Sequence, residues 1–251
     1  MINSFLLAFS MYSKIPVPGP DWSEEKMKYV MCFFPLVGVP IGLLICGFGI
    51  LAAHLALPDL MRSAVLTLIP LVVTGGIHMD GLIDTGDALA SCQPQERKLE
   101  ILKDSHTGAF AVIYTGMYLV ACLGMWSGIS GRAMAVMAVS FVYSRALSGM
   151  AAVTFRNARG SGLLAVFSGS AEKYVTRAVL ALYLAAAAAV MIILSPRTGA
   201  FAAAAGLLAF VYYRVKSYRE FGGITGDLAG WFVQICELFM GIAVVIAEVL
   251  W

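Results

Sequence analysis

Residues 64–87 read Ala-Val-Leu-Thr-Leu-Ile-Pro-Leu-Val-Val-Thr-Gly-Gly-Ile-His-Met-Asp-Gly-Leu-Ile-Asp-Thr-Gly-Asp, an apolar run that ends in a histidine and three aspartates. The whole chain has only 15 acidic residues and 3 histidines. The apolar part reads as a membrane-spanning helix near residues 63–79, with the acids at its end. Continued as a helix, Asp80, Asp84 and Asp87 fall at i, i+4 and i+7 and share one face. Like charges so placed repel one another, and a hard divalent cation such as Mg²⁺ is the usual remedy. His78 beside them suits a base, a metal ligand or a phosphate contact. An ordinary solvated helix end is the plainer alternative. Glycines at 75, 76, 81 and 86 favour the site, because they allow a ligand close to the backbone.

Working outward, the 251 residues are 60% hydrophobic and 13% charged, about half the charged fraction of a soluble domain. Several apolar runs exceed the ~18 residues that cross a bilayer as a helix, and strand-like alternation is absent. The expected fold is all-α, a polytopic helical bundle in the lipid bilayer forming one domain over 1–251. It has about seven spans, near 32–57, 63–79, 110–128, 133–153, 178–195, 199–213 and 229–251. Residues 1–11 lack a signal peptide's basic start and cleavage site and read as an interfacial helix. Prolines 16, 18 and 20 keep the next segment out of a helix. Pro35, Pro40 and the glycines of span one predict a kink or a close helix contact.

Lys and Arg alternate from one face to the other. One face carries thirteen of seventeen, the other three, and Arg145 lies inside span four. The positive-inside rule then puts the N-terminus, and the polar segments that hold the motifs, in the cytoplasm and the C-terminus outside. Five cysteines without CxxC spacing give no disulfide framework or zinc site. A formal charge of +2 gives no reason to expect nucleic acid as a partner.

Further candidates lie in those cytoplasmic segments. Lys103 suits a phosphate, Asp104 a further metal carboxylate and Ser105 a hydroxyl donor; a plain helix N-cap competes for the same residues. Arg145, about 12 Å deep, either snorkels or pairs with the aspartates or a bound phosphate. The loop from Arg156 and Arg159 to Gly162 fits an anionic substrate. Phe221-Gly222-Gly223-Ile224-Thr225-Gly226-Asp227 reads as an anion-binding turn at a helix start, with Asp227 as a metal ligand or an N-cap.

These motifs in this order, with Ile15-Pro16-Val17-Pro18 and Phe34-Pro35-Leu36-Val37-Gly38, resemble the cobalamin synthase (adenosylcobinamide-GDP ribazoletransferase) family over the whole chain. The resemblance implies a Mg²⁺-dependent enzyme of the bacterial inner membrane. It joins adenosylcobinamide-GDP to α-ribazole or its 5′-phosphate with release of GMP, late in vitamin B12 assembly. It assigns catalysis to His78, Asp80, Asp84, Asp87, Asp104 and Asp227, with those five aspartates as the metal set. Lys103, Ser105, Arg145, Arg156, Arg159, Gly222, Gly223, Thr225 and Gly226 are its substrate contacts. Homo-oligomerisation stays open. The chain departs from the family pattern at Ala88, Lys103 and Gln234. Two other classes compete: a CDP-alcohol phosphotransferase, whose Asp-Gly-x-x-Ala-Arg run is missing, and a divalent-cation carrier, which would want acids along a path across the membrane.

Overall fold

The computed structural model describes residues 1–19, 22–23, 27–104, 106–160 and 172–250. Ser105, Gly162 and the rest of the basic loop beyond Gly160 lie outside them. The described helices are α1 (Ile2–Tyr12), α2 (Val30–Phe33), α3 (Gly38–His54), α4 (Asp59–Thr74), α5 (Ile77–Ala90) and α6 (Gln95–Ile101). After them come α7 (Ala109–Ser127), α8 (Gly131–Thr154), α9 (Lys173–Leu194), α10 (Pro196–Phe221) and α11 (Gly226–Leu250).

Among the described residues six stretches are long and apolar enough to cross a membrane: Val30–His54, α7, α8, α9, α10 and α11; α4 with α5 makes a seventh if the bent pair counts as one. The polytopic helical bundle is therefore present. At 11 residues, α1 is too short to span. In the first span Pro35 sits in a 3₁₀ turn, Phe34–Val37, which links α2 to α3. A Cβ at Gly38 or Gly42 would strike the backbone of α8 at Phe141 or Ala138. Both the expected irregularity and the expected close contact are there.

One expectation is corrected. The helix of residues 63–79 does not run on into the aspartates. It stops at Thr74, and α5 leaves at 98° to α4. The cause is the pair Gly75 and Gly76, both left-handed at φ 63° and 80°, a region that costs glycine alone no strain. The N–H groups of Gly75 and Gly76 donate to Val72 and Leu71 O and close α4. The aspartates keep their shared helix, but that helix turns away from α4 and packs on α11.

The two ends of the bundle differ as the charge count requires. One gathers Lys14 on Val73 O, α5, α6, the end of α8 and the α10–α11 turn; Lys98 of α6 pairs with Glu220 of α10 at 2.6 Å. The other gathers Arg62 on Ser127 O and Thr198 on Glu248. Between them α8 and α11 are the most enclosed, and α11 packs on α5, α8 and α10.

Candidate functional site

The site begins with two glycines. A Cβ at Gly81 of α5 would strike Asp227 O, and its next neighbours would be Gly230 Cα and Trp231 N at 3.1 Å. From the other side, a Cβ at Gly230 would stand 3.3 Å from His78 Cα. With no side chain between them α5 and α11 cross in near backbone contact, which places the acids of α5 beside the start of α11. Asp84 is within electrostatic reach of Asp80, Asp87 and Asp227, and of the guanidinium of Arg159.

Arg159 is held from two sides. Its Nη1 lies 3.1 Å from Asp227 Oδ2, and its Nη2 donates to Leu99 O at 3.2 Å. The segment carrying it is fixed by a parallel bridge between Asn157 and Ile224, in which Ile224 N–H donates to Arg156 O at 2.8 Å and Ala158 N–H to Ile224 O at 2.9 Å. Any side chain at Gly223 would collide with Arg156 O, so this docking needs glycine. Thr225 Oγ1 accepts the N–H of Leu228 at 3.2 Å and caps α11, and the Thr225 hydroxyl also donates to Asp227 Oδ2 at 3.3 Å.

These residues border a cavity of about 280 Å³, with Asp80, Asp227, Arg159 and Thr225 in its wall and Tyr12, Phe34 and His78 opposite in kind. His78 is 3% exposed, and its Nε2 is buried with no hydrogen-bond partner among the described residues. Its ring lies among aromatic neighbours, 6.1 Å from the centroid of Tyr12 and 5.9 Å from that of Phe34.

The other predicted residues take different places. Asp87 accepts the N–H groups of Gly108 and Ala111, the latter at 2.9 Å, and so caps α7. Asp104 stands on the exposed turn before α7, where the backbone N–H of His106 and then its ring hold the carboxyl below its ordinary range. Lys103 is exposed beside it. Arg145 is 1% exposed and neither snorkels nor meets an aspartate: its Nη1 is 2.7 Å from Glu237 Oε1 and donates to Phe141 O, while Ser144 donates to the same Glu237 oxygen. Sequence gave no sign of that partner, on another helix 92 residues away. Arg156 spends its guanidinium on Gly222 O. The N–H groups of Gly222, Gly223 and Ile224 go to Tyr218, Ser217 and Arg156 O, so the glycine turn is closed on the protein and what faces the cavity is Thr225, Gly226 and Asp227. Tyr12, Ser148 and Asn157 line the cavity without having been singled out, since no local pattern marks them, and Phe34, quoted only as part of the Phe34–Gly38 motif, lines it too.

As a metal site, Asp80, Asp84 and Asp227 offer carboxylate oxygens alone, which suits Mg²⁺. Among the described residues no three acidic, histidine or cysteine side chains form a ready-made cage.

Comparison with known proteins adds an independent line. The family model described as cobalamin-5-phosphate synthase matches residues 4–245. The chain is 46% identical over 247 residues to the adenosylcobinamide-GDP ribazoletransferase of Lachnoclostridium phytofermentans, covering 98% of this chain and 95% of that one. It is 32% identical to that of Clostridium perfringens strain 13 (94% of each chain) and 30% to that of Carboxydothermus hydrogenoformans (98% and 97%). No solved structure matches it.

Proposed function

The chain belongs to the cobalamin-5-phosphate synthase family, and from that premise we propose that it joins adenosylcobinamide-GDP to α-ribazole or α-ribazole 5′-phosphate with release of GMP. The observation that carries this reading is the crossing of α5 and α11 at Gly81 and Gly230, which gathers Asp80, Asp227 and Arg159 at one cavity with Asp84 in electrostatic reach of all three. Carboxylates collected this way repel a diphosphate as well as each other, so they make chemical sense with a cation between. Asp80, Asp84 and Asp227 would hold Mg²⁺, which supplies neutralisation of the diphosphate and of the departing GMP.

The side chains supply position and charge. Arg159, braced by Leu99 O and Asp227, is set to hold a phosphate oxygen as charge builds there. A ribose hydroxyl of the acceptor forms the new P–O bond at the phosphorus nearer the cobinamide. The diphosphate P–O bond breaks, and GMP leaves with its electrons. The hydroxyl proton passes to a cavity oxygen or to water, and no covalent enzyme intermediate is needed. Asp87, Arg156, Gly222 and Gly223 build the frame, and Arg145 with Glu237 ties α8 to α11. That pairing also counts against a cation carrier, because Glu237, the acid deepest in α11, is already neutralised.

The site end of the bundle, with the N-terminus, faces the cytoplasm on this reading, in the cytoplasmic membrane. The test is purified protein in lipid nanodiscs with both substrates and Mg²⁺. GMP and a cobalamin should appear together, and chelation with EDTA should stop both. No GMP from the complete mixture would overturn the assignment.

A further inference from the structure

The cavity has two chemically different ends. Asp80, Asp227 and Arg159 are charged and suit the diphosphate. Tyr12, Phe34 and Met31 are aromatic or apolar, and His78, its ring beside Tyr12 and Phe34, has a buried Nε2 with no hydrogen-bond partner among the described residues. A buried ring nitrogen left so calls for an explanation, and a ligand atom reached by a turn of the ring supplies one. At about 280 Å³ the space falls at the lower edge of the ~300–1,000 Å³ that buries drug-sized ligands. It admits a nucleoside and excludes a corrinoid macrocycle.

We propose that this cavity is the acceptor subsite: the flat base of the ribazole lies against Tyr12 and Phe34, His78 Nε2 pairs with the base's free ring nitrogen, and the ribose hydroxyls point to the carboxylates. The corrinoid of the donor then stays outside and only its diphosphate reaches in. This deepens the transferase reading and rests on it. The rival occupant is the guanine of the donor. Its edge carries several donors and acceptors, all needing partners when buried. Away from the carboxylates the wall is mostly apolar; its polar atoms are the His78 ring nitrogen and the hydroxyls of Tyr12 and Ser148, with the amide of Asn157, whose Nδ2 also has no partner among the described residues, elsewhere in the lining. A ribazole base, an apolar fused ring with one unsubstituted nitrogen, asks for no more than that.

The experiment measures α-ribazole binding by calorimetry on the full chain in nanodiscs, without the donor, beside steady-state KM values for both substrates. Phe34→Ala should weaken α-ribazole binding and raise its KM about tenfold, the worth of one good ring contact, with the KM for adenosylcobinamide-GDP within twofold of wild type. Ala152→Phe, which fills the same cavity from α8, should do likewise, so that one variant decides if the other fails to fold. A raised KM for adenosylcobinamide-GDP with α-ribazole binding intact would assign the cavity to guanosine and overturn the proposal. Unchanged binding of both would overturn it too. If wild type binds α-ribazole, loses it in both variants and yet makes no GMP, the subsite stands and the transferase reading falls.

Discussion

Asp80, Asp84 and Asp87 are indistinguishable by spacing, and their neighbours set them apart. Asp87 is committed to the N–H groups of Gly108 and Ala111, where a carboxylate satisfies orphan donors and faces the positive end of the α7 dipole. Asp87→Ala should therefore act on stability, costing about 1 kcal/mol, seen as an earlier thermal unfolding midpoint in detergent. An unchanged midpoint would mean the cap does little. Among the described residues Asp80 and Asp84 have no such bonds, and Asp84 sits among the charges of Asp80, Asp87 and Asp227. Asn at either position should leave the midpoint unchanged or raise it by relieving repulsion, while GMP release falls roughly 10²–10³-fold, the usual cost of losing one transition-state charge contact. Undiminished turnover would remove that residue from the site. Sequence reading found all three acids, because a cluster in so apolar a chain stands out. It could not sort the cap from the others, since the bonds that do so come from residues 21 and 24 positions further on.

At the scale of elements, the decisive contact is that of α5 with α11. Gly81 and Gly230 are 149 positions apart, and nothing in either local sequence says that they touch. The break between α4 and α5 was within reach, since Gly75-Gly76 is a turn signal, but apolar residues flank it and a spanning helix accounts for them equally well. The crossing gives a graded expectation. A Cβ at Gly81 meets a backbone carbonyl, which cannot swing aside; one at Gly230 meets backbone at 3.3 Å and needs a few tenths of an ångström. Gly81→Ala should thus destabilise by about 1–3 kcal/mol and push the aspartates away from Asp227, so that turnover falls further than stability alone explains. Gly230→Ala should be milder on both counts. Measuring thermal midpoints and GMP release for the pair checks the order, and an equal or inverted order would mean that the helices meet elsewhere. Arg145 makes the complementary point. Its depth in the membrane left snorkelling and an anionic partner both open, and the packing of α8 on α11 decides for Glu237.

For the molecule as a whole, the alternation of Lys and Arg carried more than any motif, because it constrains every loop at once and the two ends of the bundle follow it. What it leaves to experiment is which end meets the cytoplasm, and the chain carries its own reporter. Of the five cysteines, Cys32, Cys122 and Cys236 are buried and Cys46 is half-buried in α3, whereas Cys92 is exposed on the turn between α5 and α6, at the same end as the cavity. A membrane-impermeant maleimide reacts with a thiolate in water and does not cross the bilayer. With the site end in the cytoplasm, inverted membrane vesicles of the wild-type protein should label strongly at Cys92, intact cells should not, and Cys92→Ser should abolish the vesicle signal. Labelling of intact cells at Cys92 would reverse the orientation. It would also put the acidic cluster on the side of the membrane away from a cytoplasmic supply of nucleotide substrate, so the same measurement bears on the topology and on the proposed reaction.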